Sequence, residues 1–266
     1  MTSPDRLRTL WATIRDPIPN GGSPVRGPQG ADGRRMHRLL FAIVQGSPVS
    51  WRPPPSALGV IETRAFGELV VVASPLDRIP EPNARTLALY HEVVAATMEA
   101  EGVLPFRFGT ALPAGELDGW LAAHAERIRA ALGQLRGCVE MNVKLLRLSC
   151  GHGRERSCPA CAAGAPGADT LRALADHLVE RAGVARWRFR VAGRGSNLAG
   201  AVAFLVPRHE VDAFLARIAP VASRAPGVAV VPTGPWPVYS FVPPLPDRPP
   251  LARVESQAPR VGHIAG

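Results

Sequence analysis

Two short blocks constrain this chain more than anything else in it: Val103-Leu104-Pro105-Phe106-Arg107-Phe108-Gly109-Thr110 and Gly234-Pro235-Trp236-Pro237-Val238-Tyr239-Ser240-Phe241. Pro105 lacks a backbone donor and pushes Leu104 toward extended geometry, so the first block opens as a strand. Phe106 and Phe108 alternate with Arg107, the period of a half-buried strand. In the second block Pro235 and Pro237 bracket Trp236, and a backbone stiffened around that ring loses less entropy on being fixed. Trp236 and Tyr239 read first as core or interface packing and second as partner-binding anchors, because large aromatics mostly serve packing. Neither block holds a paired carboxylate or a phosphate-cradling glycine loop. Both look shape-determining.

Around these blocks the periodicity predicts an orderly series of elements. Leu39 to Val44 is a short apolar run that reads as a buried strand. Leu58 to Arg64 and Glu68 to Ala73 flank Phe66-Gly67 as a hairpin. A helix from about Ala84 to Glu101 carries Leu87, Tyr90, His91, Val94 and Met98 on one stripe, with Gly102 as its C-terminal cap. After the first block comes a helix over about 115–136, striped by Leu117, Leu121, His124, Ile128, Leu132 and Leu135, and then a strand over Cys138 to Leu148. Beyond residue 168, Asp169 is placed to cap a helix running to about Ala182. Trp187, Phe189 and Val191 then alternate with Arg186, Arg188 and Arg190, a strand with one aromatic-aliphatic face and one basic face. Ala199 to Val206 is a strand, Val211, Phe214, Leu215 and Ile218 stripe a helix, and Gly227 to Val231 leads into the second block. No internal repeat is found.

The Gly, Pro and Cys content of residues 149–168 breaks this series in two. The predicted class is therefore α+β with two domains, residues 38–148 forming a ferredoxin-like layer with helices on one face of the sheet and 169–242 a smaller α+β domain. Residues 1–37 are glycine- and proline-rich and predicted to be a flexible leader, and the prolines of 243–266 predict a tail without packed structure.

With 266 residues, 46% hydrophobic and 20% charged, the chain has enough apolar material for real cores. The first twenty residues lack the apolar run of a signal peptide, and no stretch matches a membrane span, which predicts a cytoplasmic protein. Of the net charge of +9, residues 1–144 contribute +2 (16 basic, 14 acidic) and residues 145–266 contribute +7 (15 basic, 8 acidic). Basic charge favours acidic partners without choosing among them.

The sharpest chemical constellation is Cys150 and His152 followed by Cys158 and Cys161, four potential zinc ligands within twelve residues, one pair at C-x-x-C spacing. Zinc is thus a candidate cofactor; reduced, unligated thiols on a connector are the plainer reading. His91 and His124 lie on apolar stripes, where a core or boundary histidine is expected before a ligand or base. Gly193-Arg194-Gly195 lies between two strands, which defeats a phosphate-loop reading. Ser196, Ser240, His177 and Asp212 are triad-type residues without a nucleophile-elbow context.

The two blocks, in this order and spacing, resemble the signature segments of the gas vesicle GvpL/GvpF family. In that family the first block lies between the two helices of the first domain and the second block closes the second domain. The resemblance spans about residues 38–242, interrupted by the cysteine-bearing connector, which departs from the family pattern. It implies two α+β domains and a non-enzymatic accessory role in gas vesicle assembly. The expected partners are the small apolar shell protein and other accessory proteins, and the expected location is the gas vesicle. Leu104, Pro105, Phe106, Arg107, Phe108, Gly109, Gly234, Pro235, Trp236 and Tyr239 are the family-motif and candidate partner-binding positions. From the residues alone, a basic zinc-containing nucleic-acid-binding or regulatory protein is the alternative, although the arginine face of residues 186–190 lacks stacking aromatics and nucleic acid is the less expected partner.

Overall fold

The computed structural model describes residues 36–46, 58–148, 167–192, 197–222 and 227–245. The first sheet contains β1 (His37–Gln45), β2 (Glu62–Phe66), β3 (Leu69–Leu76), β4 (Gly102–Pro105) and β5 (Ala111–Pro113), all paired antiparallel. Its order is β2-β3-β1-β4, with β5 also pairing β1. Helices α1 (Ala84–Ala96) and α2 (Leu117–Leu135) belong to this half of the chain. α1 is fixed at its start by a capping box in which the Asn83 side chain accepts from the Thr86 backbone and the Thr86 hydroxyl accepts from that of Asn83.

The expected one-sided layer gives way to a sheet covered on both faces. Leu40, Ile43, Val71 and Ala73 pack with α2 through Leu121, Ile128 and Leu132. Leu39, Phe41 and Val72 pack with α1 through Tyr90, Val93 and Val94. The cause is in the strands: Leu39 to Ile43 and Leu69 to Ala73 are buried at every position, so neither parity is left for solvent.

The second sheet has β6 (Cys138–Arg147), β7 (Trp187–Val191), β8 (Leu198–Pro207) and β9 (Val228–Trp236) in the order β7-β8-β6-β9, again antiparallel. Helices α3 (Ala168–Ala182) and α4 (Val211–Ala222) complete the series β6-α3-β7-β8-α4-β9. Met141, Val143 and Leu145 of β6, with Val202, Phe204 and Val206 of β8, face Leu171, Leu178, Phe214 and Ile218 of these helices. The protein is thus mixed α+β, with two antiparallel sheets and four helices among the described residues.

Several expectations shift. The strand beginning at Cys138 forms, but it is the partner of β8 and β9 in the second sheet and not part of the first. Gly102 opens β4 and does not cap α1, which ends in a single 3₁₀ turn at Thr97–Glu99. Gly167 occupies the N-cap of α3, leaving Asp169 in the first turn, where its charge favours the helix dipole. Within the stretch expected to be an unpacked tail, Leu245 is buried against the core that contains α2. Most of the leader and tail, and the whole cysteine cluster, lie outside the described residues.

Candidate functional site

The first block is a strand that turns rather than one that continues. Val103 and Leu104 pair with Val44 and Ile43, and the strand stops at Pro105. Phe106 keeps contact with β1 by donating its N–H to the Phe41 carbonyl (2.9 Å), and its fully buried ring lies 6.2 Å from that of Trp120. Thr110 closes the turn: its N–H (3.1 Å) and hydroxyl (2.7 Å) both reach the Arg107 carbonyl. Gly109, at φ +85°, supplies the left-handed step that reverses the chain. The Leu40 N–H donates to the Thr110 carbonyl (2.9 Å), and β5 then takes up the remaining length of β1. The expected alternation holds in its burial, with Phe106 inside, Arg107 exposed and Phe108 half-buried edge-on to Tyr90 (5.3 Å, 81°). Tyr90 braces the block from α1, its hydroxyl 2.6 Å from the Leu40 carbonyl and 3.0 Å from that of Phe106.

The second block begins as the end of β9 and leaves it to join the two sheets. Gly234 has φ +130°, and a Cβ there would lie 2.8 Å from Met141 Sδ and 2.9 Å from the Glu140 carbonyl. Glycine is therefore required twice over, for backbone conformation and for space. The Gly234–Pro235 peptide is cis. Trp236 is half-buried, its Nε1 donating to Thr233 Oγ1 (3.3 Å) and its ring 5.3 Å from the His91 ring of α1. Val238 and Phe241 are buried with Leu135 of α2 and with Ala203 and Leu205 of β8. Tyr239 packs in the core formed with α1, and Val242 in the core formed with α2. One block of eight residues thus touches both helices of the first half and the central strands of the second.

Glu140 holds this corner and was not singled out by sequence reasoning. It is buried in β6, where its Oε2 accepts the Ser240 N–H (2.8 Å) and its Oε1 accepts the Ser240 hydroxyl (2.8 Å) and an Asn142 amide hydrogen (2.9 Å). Three donors satisfy a carboxylate that would otherwise be costly to bury. Burial, reinforced by the nearby Glu140 charge, raises the Tyr239 phenol well above its ordinary value. The available signal was the polar parity of β6, where Glu140, Asn142 and Lys144 alternate with Met141 and Val143.

Between the blocks opens a cleft of ≈ 560 Å³, bordered by Arg107 of the first, Ser240 of the second, Asn142 of β6 and the basic face of β7. The triad-type residues that are described lie on separate elements. Ser240 is engaged by Glu140, His177 lies 3.7 Å from Glu180 on α3, and Asp212 is in the first turn of α4. Ser196 lies outside the described residues. His124 is buried with Nδ1 2.7 Å from the Trp120 carbonyl, and burial lowers the pKa of His91. Cys150, His152, Cys158 and Cys161 are outside the described residues; among those described, no group of three His, Cys, Asp or Glu side chains could hold a metal ion.

The family model described as "Gas vesicle synthesis protein GvpL/GvpF" matches residues 37–155 and 164–243, taking in both blocks. The chain belongs to the GvpL/GvpF family. The gap in that match, residues 156–163, falls within the cysteine-bearing segment. The gas vesicle protein GvpF from Anabaena sp. PCC7120 has a similar crystal structure, with TM-score 0.63 and 13% identity over 79% of this chain and 97% of that one. GvpF from Microcystis aeruginosa is similar at TM-score 0.56 and 13% identity, over 78% of this chain and 99% of that one. Among curated proteins none matches. At such identities the likeness shows a shared fold, while family membership rests on the sequence match.

Proposed function

We propose that this chain is a non-enzymatic accessory protein of gas vesicle assembly that binds the small apolar shell protein before or as it polymerises. The observation that carries this is membership of the GvpL/GvpF family across both aromatic blocks. A physical need for such a helper exists, since a subunit destined to line a gas space exposes apolar surface that aggregates when unassembled. The blocks act as architecture: aromatics, prolines and glycines fix a corner, and binding draws on the surfaces that corner holds in place. We place the protein at the gas vesicle, with a cytoplasmic origin; no described helix is long and apolar enough to cross a membrane. We also read the chain as two domains meeting near Gly137, with the ferredoxin-like arrangement in the second rather than the first, since β6-α3-β7-β8-α4-β9 follows the split βαβ order. Zinc at the Cys150–Cys161 cluster is a separate proposal, tested by metal analysis of the native protein beside the Cys158→Ser/Cys161→Ser variant.

Coexpression with the shell protein followed by pull-down tests the main reading. Retention of the shell protein that survives moderate salt is expected, as is loss of flotation when the gene is deleted from a vesicle cluster. Normal vesicle yield in that deletion, with no second family member present, would refute the reading.

A further inference from the structure

The second sheet presents one basic face away from its helices. Its register sets two rows across the sheet: Arg188, Ala203, Asn142 and Thr233 in one, and Arg190, Ala201, Lys144 and Val231 in the next. The alanines of β8 make a low floor between the arginines of β7 and the polar side chains of β6. With strands ~4.8 Å apart, this trough is about 10 Å wide from β7 to β6, and Arg188 and Arg190 stand about 7 Å apart along it. Arg107 closes one end from the first half of the chain, making it continuous with the cleft of ≈ 560 Å³.

The charge on this surface is one-sided. Arg107, Arg188 and Arg190 border the cleft with no acidic residue among its lining, and Lys144, the only lysine of the chain, stands on the same face. Among the described residues none of these four makes an ion pair, whereas Arg38, Arg64, Arg129, Arg136 and Arg172 all do. Glu140, the nearest acid on the same parity of β6, is already clasped by Ser240 and Asn142. Partial burial disfavours the charged form of Lys144 and lowers its pKa, a cost that an incoming carboxylate offsets.

We propose that this trough is a docking site for an extended acidic segment of a protein partner, with carboxylates at alternate residues meeting Arg188 and Arg190. An extended chain repeats each side of its side chains every two residues, the same period as the arginines on β7, so each guanidinium meets one carboxylate in paired hydrogen bonds. Nucleic acid fits less well. Trp187 and Phe189 border the cleft but pack against the core that contains the helices, and Phe241, over which Arg186 and Arg188 sit at 5.8 and 5.9 Å, is buried, so among the described residues no exposed ring stands between the arginines for a base to stack on. The inference rests on the reading that this protein works by holding another protein, and it adds the chemistry of what is held.

The test uses the full-length protein and a fluorescently labelled peptide alternating threonine and glutamate, followed by anisotropy. A threonine–glutamine peptide and an oligothymidylate of equal length are run beside it. We expect the glutamate peptide to bind, the glutamine peptide to fail, and Arg188→Gln/Arg190→Gln to weaken binding at least about ten-fold while Arg172→Gln on α3 leaves it unchanged. Circular dichroism melts identical to wild type confirm that the double variant is folded. Absence of glutamate-peptide binding, equal binding of the two peptides, indifference to the double substitution, or tighter binding of the oligothymidylate each overturns the proposal. Pull-down of the shell protein is scored separately: peptide binding without shell-protein capture removes the functional reading above and leaves the trough standing, and the converse removes the trough alone.

Discussion

The two sheets of this protein are similar in size and wholly antiparallel, yet they are finished differently. The first is covered by helix on both faces, and every residue of β1 from Leu39 to Ile43 is buried. The second is covered by helix on one face only; its other face is half closed by Leu135, Val238 and Phe241 and otherwise left to Ala201, Asn142, Lys144 and the β7 arginines. A sheet sealed on both sides serves as a foundation, and one left open on a side has a surface to offer. The second block ties the open sheet to the sealed one, packing against α1, α2 and β8 together, beside further contacts such as Arg186 to the Gln134 carbonyl.

If the first sheet is the foundation, truncating its deepest contact should give the largest loss. Phe106 is fully buried between β1 and Trp120, so Phe106→Ala is expected to cost about 3–5 kcal/mol in urea unfolding. Ala201→Ser, on the open face of the second sheet, should change stability by less than about 0.5 kcal/mol. Comparable losses at the two sites would remove the distinction between the sheets.

Two glycines sharpen the comparison at the blocks themselves. Both Gly109 and Gly234 have positive φ, but a Cβ at Gly109 meets nothing within 4 Å while one at Gly234 meets Met141 and the Glu140 carbonyl. Gly109→Ala should therefore cost about 1 kcal/mol from backbone strain alone. Gly234→Ala adds overpacking and should cost about 2–4 kcal/mol. Equal melting shifts would mean that the second block yields where its packing says it should not.

Glu140→Gln probes the corner with less disruption. Glutamine keeps the shape but loses the charge and half the acceptors, so one of the Ser240 and Asn142 donors is left unmatched. A loss of about 1–2 kcal/mol is expected, with the added Glu140→Gln/Ser240→Ala pair costing less than the sum of the single changes because the two share one contact. Strict additivity would show that Glu140 does not hold the block.

Much of this architecture was legible in the sequence, and the gaps have physical causes. Strand and helix positions followed from periodicity because each half carries clear two- and 3.6-residue patterns, as in Trp187 to Val191 and Leu117 to Leu135. The partnership of Cys138 to Arg147 was not legible: a strand's alternation specifies which side is buried and says nothing about which sheet it joins. The continuous apolar run of Leu39 to Ile43 did announce burial on both faces, and the one-sided layer expected for the first sheet overlooked that signal. For the site, the blocks announced themselves by composition, while the trough needed the register that sets Ala203 beside Arg188 and Ala201 beside Arg190. Such adjacency is a property of pairing and is invisible in a linear chain.

The smallest expected effect tests whether the corner joining the sheets responds to acid. His91 of α1 lies against Trp236, and burial holds its pKa below the ordinary value of 6.5. The folded protein therefore resists protonating His91, while the unfolded chain accepts the proton near 6.5. The sign follows: stability is intact above 6.5 and declines as pH falls through that value toward the lower folded one. His91→Gln removes the group and should flatten this part of the acid limb, so that wild type loses more unfolding free energy than the variant between about pH 7 and pH 5. Fluorescence-detected urea unfolding across that range measures it. Parallel limbs in the two proteins would show that the ring is free to protonate in place, and the contact between α1 and the second block would then be looser than the packing of Trp236 on His91 implies.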